Sequence, residues 1–245
     1  MCVDDKNEFP SPLIIGLFTE TIGTFIMMFI GCMGCLFQYG IGPVIPSFAF
    51  AFAILAALQM LHADGPVHLN PGVSIAFLIV QKMSWKRFLV YVVAQYIGCF
   101  LGWITLYVVA PDESQNICLL RLKWELSPIQ GFVIEMLGAT VLIWIVLGAI
   151  DAKNSALKDS LPVRIALGVC GIIFALEPLT GAGLNSARSF PPAAYYNNWK
   201  DHWLYELAPI CGTSIGAVIY RFILDDEDKY SLHSYLKKAE EGGEA

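Results

Sequence analysis

Two asparagines in a largely apolar chain carry the same short phrase around them. Asn70 stands in HLNPG, residues 68–72, and Asn185 in GLNSA, residues 183–187. A side-chain amide offers two N–H donors and one carbonyl acceptor, but no charge and no nucleophile. Its chemistry is recognition: it can orient a guest that carries oxygen. Three ionisable residues accompany the pair. Glu20 and Glu135 lie inside apolar runs, where an ionised carboxylate is costly. Arg188 follows Asn185 by three residues and brings a permanent charge with five N–H donors. The sequence shows no nucleophile–base pairing, phosphate loop or metal-ligand spacing, so an enzyme is the least supported class and no cofactor or metal is expected.

These residues need elements to hold them. Asn is a preferred N-cap, and Pro is favoured just after it because its missing N–H would be unpaired there anyway. Asn70, Pro71 and Gly72 therefore open one helix; Asn185, Ser186 and Ala187 open another. Each is flanked by Gly- and Pro-containing segments, and each apolar stretch is too short to cross a bilayer.

The rest of the chain explains where such short helices would sit. Of 245 residues, 56% are hydrophobic and only 15% charged, against about 25% charged in soluble domains. Long apolar runs cover Pro12–Phe37, Val44–Leu61, Phe88–Ala110, Pro128–Ile150, Ile165–Leu176 and Trp203–Leu224. Most approach the roughly 20 residues that span a hydrocarbon core. An integral membrane protein with six spans is predicted, with the fifth span short. The first run is of span length behind an acidic start, which predicts a retained helix rather than a cleaved signal. Two short helices dipping in from opposite faces account for the Asn segments, since irregular backbone at membrane depth must be buried or line a watery cavity.

Sidedness follows from basic loops. Lys82, Lys86 and Arg87 fall in one loop, Lys153, Lys158 and Arg164 in another, and Arg221, Lys229, Lys237 and Lys238 near the C-terminus. Six spans put these on one side, the cytoplasm, with a cytoplasmic tail at residues 1–11 and an acidic one at 225–245. Seven cysteines are scattered: Cys2, Cys32, Cys35, Cys99, Cys118, Cys170 and Cys211. Cys32 and Cys35 form a CxxC with no second pair or His cluster, which favours small buried hydrophobes over a redox or metal site.

The chain also repeats itself. At one offset Glu20 falls on Glu135, Gly23 on Gly138, Leu69 on Leu184, Asn70 on Asn185 and Ser74 on Ser189. Three spans per half force the copies into opposite orientations, which makes this an inverted repeat with its site at the midplane. Repeat one is about 12–110 and repeat two about 127–224. Each half carries a GxxxG, at Gly98 and Gly102 and at Gly212 and Gly216, suited to close helix contact. The fold class is thus all-α: six transmembrane helices plus two re-entrant half-helices in a 3+3 inverted repeat.

HLNPGVS and GLNSARSF, with an ExxG at the start of each half, together resemble the aquaporin (major intrinsic protein) family across residues 12–224. The resemblance implies a passive channel for water, extending in some branches to glycerol or urea, and a homotetramer embedded among membrane lipids. It implies no nucleic-acid partner. Both Asn side chains would point N–H donors at the permeant, and Glu20 and Glu135 would hold the re-entrant loops. Counting back from the motifs puts Phe50, Ile173, Ala182 and Arg188 at the family's selectivity constriction. Ile173 stands where water-selective members carry His, which favours an amphipathic solute such as glycerol; Ser189 and Ala193 match water channels instead. Gly72 replaces Ala at a helix cost of about 1 kcal/mol, and Ser186 replaces Pro. Ala182 stands where mercury-sensitive members carry Cys. Glu206, in DHWLYELAP, replaces an aromatic and would face loop backbone at the outer mouth or titrate.

Two other functions fit parts of this pattern. A poorly conducting relative with a cell-contact or signalling role is suggested by the altered motifs, Glu206 and the acidic tail. A proton- or ion-coupled transporter would use Glu20, Glu135 and Glu206, but no further buried acid–His chain is expected to serve a relay.

Overall fold

The computed structural model describes residues 12–36, 42–61, 66–111, 116–123 and 125–224. The tails expected at 1–11 and 225–245, with Cys2, Lys229, Lys237 and Lys238, lie outside the described residues. Among those described there are eight α-helices: α1 (Pro12–Met33), α2 (Val44–Leu61), α3 (Pro71–Ile79), α4 (Trp85–Val109), α5 (Pro128–Ile150), α6 (Leu161–Thr180), α7 (Ser186–Tyr195) and α8 (His202–Ile219). A 3₁₀ segment, Ala152–Ser160, joins α5 to α6, and a π turn, Tyr220–Leu224, extends α8. Six helices are long and apolar enough to cross a membrane. The other two, α3 and α7, have 9 and 10 residues, about 14–15 Å of rise, half of what a span requires.

Span ends follow local chemistry. Ser84 accepts from the Arg87 N–H and so starts α4 in front of two basic residues, three positions ahead of the predicted run. Ser127 and Gln130 form a reciprocal capping box with Pro128 at the first helical position of α5. The fifth span is not short. α6 runs for 20 residues because charged residues at both ends are absorbed. Arg164 donates to the carbonyls of Ala149 and Leu157, and Glu177 pairs with Lys123. Gly181, at φ 85°, then ends the helix with its N–H on the Glu177 carbonyl.

The inverted repeat is visible in the packing. α1 lies along α4 and α5 along α8, while α2 and α6 join the halves. A Cβ at Gly98 would overlap the Thr21 carbonyl, and one at Gly212 the Met136 carbonyl at the matching place in the second half. Gly102 and Gly216 are similarly closed off, by Phe25 and Ile143. Backbone contact lets side chains bond across: Thr140 Oγ1 donates to the Gly212 carbonyl at 3.0 Å and Trp144 Nε1 to the Gly216 carbonyl at 3.0 Å. The GxxxG pairs are packing devices, as expected. Each half-helix docks on the opposite repeat, α3 on α8 and α7 on α4. This exchange brings the two Asn motifs together.

Candidate functional site

The segments entering α3 and α7 are irregular, and each carries a leucine in the left-handed region, Leu69 at φ 60° and Leu184 at φ 54°, with Ala182 at φ 51° besides in the second. That conformation costs an L-residue roughly 1–2 kcal/mol and leaves backbone N–H groups pointing away from any helix. The buried carboxylates answer both demands. Glu20 Oε1 accepts from the His68 N–H and Oε2 from the Leu69 N–H at 2.8 Å. Glu135 Oε1 accepts from the Gly183 N–H at 2.8 Å and Oε2 from the Leu184 N–H at 2.7 Å. Each carboxylate therefore clasps two successive amides of its own re-entrant loop.

The clasps differ in their outer partners. Thr180 Oγ1 donates to Glu135 at 2.6 Å, and Tyr205 closes that side through the Thr180 carbonyl. In the first half, Gln95 Nε2 donates to Glu20 Oε2 at 2.8 Å and to Ser74 Oγ at 3.0 Å, and Ser74 Oγ lies 3.0 Å from His68 Nδ1. A buried acid–His chain thus exists, contrary to the sequence expectation. Its central member is an amide that donates in both directions; His68 lines a central cavity, whereas Glu20 and Glu135 line neither that cavity nor the one beyond Arg188. The chain braces the loop.

Asn70 caps α3 by accepting the Gly72 N–H at 2.8 Å, and Asn185 caps α7 by accepting the Arg188 N–H at 3.3 Å. Their amide nitrogens reach across the midplane: Asn70 Nδ2 donates to the Leu184 carbonyl at 2.8 Å, and Asn185 Nδ2 to the Leu69 carbonyl at 2.7 Å. The left-handed leucines turn those carbonyls to face the opposite Asn. The sequence expectation pointed the N–H donors of each Asn at a guest; one donor on each side is spent on this reciprocal lock. Gly72 also finds its reason. A Cβ there would stand 2.8 Å from Thr213 Oγ1 of α8, so a smaller residue lets α3 sit closer to its partner.

Two cavities adjoin at the Arg188 side chain. The central one, about 80 Å³, is lined by Met27, Phe50, Val73, both Asn residues and apolar side chains of α5 and α6. The other, about 360 Å³, is bounded by Cys35, the 116–123 segment, Glu177 and Gly181. Four residues line both: Phe50, Ile173, Ala182 and Arg188. The structure thus brings together the four positions obtained by counting, and Ile173 from α6 sits among them without a gap. Arg188 is buried, with its guanidinium carbon 5.3 Å from the centre of the Phe50 ring, a cation–π distance.

Cysteine usage differs from expectation. Cys32 of α1 is bonded to Cys118, with Cα atoms 5.4 Å apart, a separation ordinary for a disulfide. Cys35 lies with its sulfur 3.4 Å from that of Cys118. The reading of Cys32 as a small buried hydrophobe is therefore corrected, whereas Cys35 is a free, part-buried thiol. An 86-residue separation leaves no spacing signal to find it by. Cys118 is also the residue that holds Arg188: Nη1 donates to its carbonyl at 2.9 Å, and Nη2 lies 3.3 Å from its sulfur.

Glu206 faces neither loop backbone nor the cavities. Its two oxygens take the Tyr96 hydroxyl at 2.9 Å and His202 Nε2 at 3.0 Å, tying α8 to α4. Glu20, Glu135 and Glu206 share no hydrogen-bond partner; each is engaged within its own loop or helix pair. Among the described residues no His, Cys, Asp and Glu cluster suits a metal ion.

Known proteins share this architecture. The chain is 33% identical over 215 residues to the lens fiber major intrinsic protein of Gallus gallus, covering 85% of this chain and 80% of that protein. It is 32% identical over 218 residues to Aquaporin-5 of Sus scrofa, with the same coverage. Its fold matches the aquaglyceroporin of Plasmodium falciparum at a TM-score of 0.77 and 22% identity, over 86% of this chain and 97% of that one. Residues 11–220 match the family described as Major intrinsic protein, and the chain belongs to that family of membrane channels.

Proposed function

We propose that the chain is a passive channel for water and for small uncharged solutes of the size of glycerol or urea, closed to protons and ions. The observation that carries this reading is the pair of Asn-capped half-helices locked nose to nose beside a lined cavity. Two helix N-termini point their positive ends at the centre; Asn70 keeps one N–H for a passing oxygen, and the second N–H of Asn185 is engaged only by a weak contact with the Met27 sulfur at 3.9 Å. Water fits such a site; a cation meets the dipoles and then Arg188. Ile173 and Phe50 add apolar wall at the narrowing, which supports passage of a solute with a carbon backbone as well.

Orientation is part of the proposal. The basic loop at residues 82–87 lies at one end of the bundle, and the Cys32–Cys118 bridge borders the cavity beyond Arg188. Disulfides persist in oxidising compartments, so the Arg188 end is read as the outer face of the plasma membrane, with both termini in the cytoplasm. A homotetramer with one pore in each subunit is proposed from the family alone. Vesicles containing purified protein test the function in a stopped-flow swelling assay. Permeability above that of protein-free vesicles for water, and to a lesser degree for glycerol or urea, is expected; equality for all three would reject it.

A further inference from the structure

Three sulfurs meet beside the narrowing, where the family reading uses none of them. Cys32 and Cys118 are bonded, Cys35 stands 3.4 Å from the Cys118 sulfur, and Cys35 and Cys118 both line the larger cavity. The free thiol and the shared sulfur are thus already at contact distance, and only one guanidinium separates them from the pore. We propose that Cys32, Cys35 and Cys118 form a thiol–disulfide exchange site that sets how Arg188 is held at the narrowing.

The exchange needs no outside oxidant or reductant. The Cys35 thiolate attacks the Cys118 sulfur, the Cys35–Cys118 bond forms as Cys32–Cys118 breaks, and Cys32 departs as a thiolate that takes up the proton Cys35 gave away. The count of thiols and disulfides is unchanged. The tether of Cys118 changes. In the observed form Cys118 hangs from α1, a rigid helix; in the exchanged form it hangs from the turn that follows α1, residues 34–36. Both contacts of Cys118 with Arg188, through its carbonyl and its sulfur, must adjust when the tether shifts. The rest of the segment stays anchored. Trp103 donates to the Ile117 carbonyl at 3.0 Å, Tyr196 accepts the Ile117 N–H at 3.1 Å, and Lys123 pairs with Glu177. Movement is therefore confined to Cys118 and the guanidinium it carries.

Charge sets the pace. Burial pushes the Cys35 thiol up to about 11, against the opposing influence of the Arg188 and Lys123 cations and with the help of Glu177. The attacking thiolate is scarce at neutral pH, so exchange speeds up about tenfold per pH unit below about 11.

The sulfur chemistry stands independently of the channel reading; only its effect on flux rests on that reading. Purified full-length protein in lipid vesicles is held at pH 9, quenched in acid, thiol-blocked and mapped by mass spectrometry without reduction. Both Cys32–Cys118 and Cys35–Cys118 linkages are expected. In C32S given oxidised glutathione as the oxidant the Cys35–Cys118 bridge should form, and in C35S the Cys32–Cys118 bridge alone. A C32S chain in which Cys35 and Cys118 both still react as free thiols after treatment with oxidised glutathione overturns the exchange, as does a native chain that keeps one linkage after prolonged incubation. The ratio of glycerol to water permeability is expected to differ between C32S and C35S by about twofold to tenfold, the worth of one hydrogen bond to Arg188. Equal ratios in conducting variants overturn the link to Arg188. Flux at the protein-free level in native protein overturns the channel reading instead, whatever the linkages show.

Discussion

Glu135→Gln tests whether a buried carboxylate holds the second Asn motif in place. Glu135 takes three donors: the Thr180 hydroxyl and the Gly183 N–H on Oε1, and the Leu184 N–H on Oε2. Glutamine can keep the first two on its carbonyl oxygen, but its NH₂ then faces the Leu184 N–H, donor against donor. One charge-assisted bond, worth about 1.5–3 kcal/mol, is lost and a buried N–H is left unsatisfied. Hydrogen bonds within membranes average nearer 0.6 kcal/mol, so the lower part of that range is the fair expectation, about 2 kcal/mol. The loss falls where it matters, because Leu184 sits in the left-handed region and has roughly 1–2 kcal/mol of strain to release. If the loop relaxes, the Leu184 carbonyl leaves Asn70 Nδ2 and the midplane lock opens. Thermal unfolding in detergent should show the destabilisation, and water permeability per folded channel should fall by about tenfold or more. A Gln variant that matches the native protein in both assays would refute the clasp. Loss of stability with full permeability would show that the clasp serves folding alone.

Four further substitutions probe other parts of the account. Gly72→Ala places a Cβ 2.8 Å from Thr213 Oγ1; the overpacking, about 1–3 kcal/mol, should outweigh the helix gain of about 1 kcal/mol. Adding Thr213→Ala should recover most of that loss in thermal unfolding, and additive single and double variants would refute the contact. Ile173→His adds a donor to the narrowing and removes apolar wall, so the ratio of glycerol to water permeability should fall about tenfold, near 1.4 kcal/mol; an unchanged ratio would remove Ile173 from the selectivity set. Arg188→Ala should leave water flux within about threefold of native while a vesicle-entrapped pH dye reports faster proton entry; equally tight vesicles would show that the half-helix dipoles exclude protons unaided.

Much of the fold was legible because membrane burial writes itself plainly. Apolar runs located all six long helices, the fifth by a run too short to span, and the shared offset of Glu20, Asn70 and Ser74 with Glu135, Asn185 and Ser189 exposed the inverted repeat. Caps are local, so Asn70 and Asn185 could be placed at helix starts from their neighbours alone. Phe50, Ile173, Ala182 and Arg188 came from family spacing, and the two cavities meet at those four. What escaped was non-local. The Cys32–Cys118 bridge joins a helix to a distant segment, and cysteine spacing does not encode such a pairing. Gly72 read as a helix defect because Thr213, its reason, lies in α8. The fifth span read as short because Arg164 and Glu177 broke the apolar run, although both find partners at the ends of α6. The acid–His chain through Gln95 was missed since Gln95 is a neutral residue in mid-span, visible only once α4 lies against α1.

The central claim is that two Asn-capped half-helices form a watery path that protons do not share. Osmotic water permeability and proton leak, measured on the same vesicles, test it most directly. The account predicts water flux well above that of protein-free vesicles, with a proton leak indistinguishable from theirs. Water flux no faster than through bare lipid, or proton entry that rises in step with water flux, would contradict it.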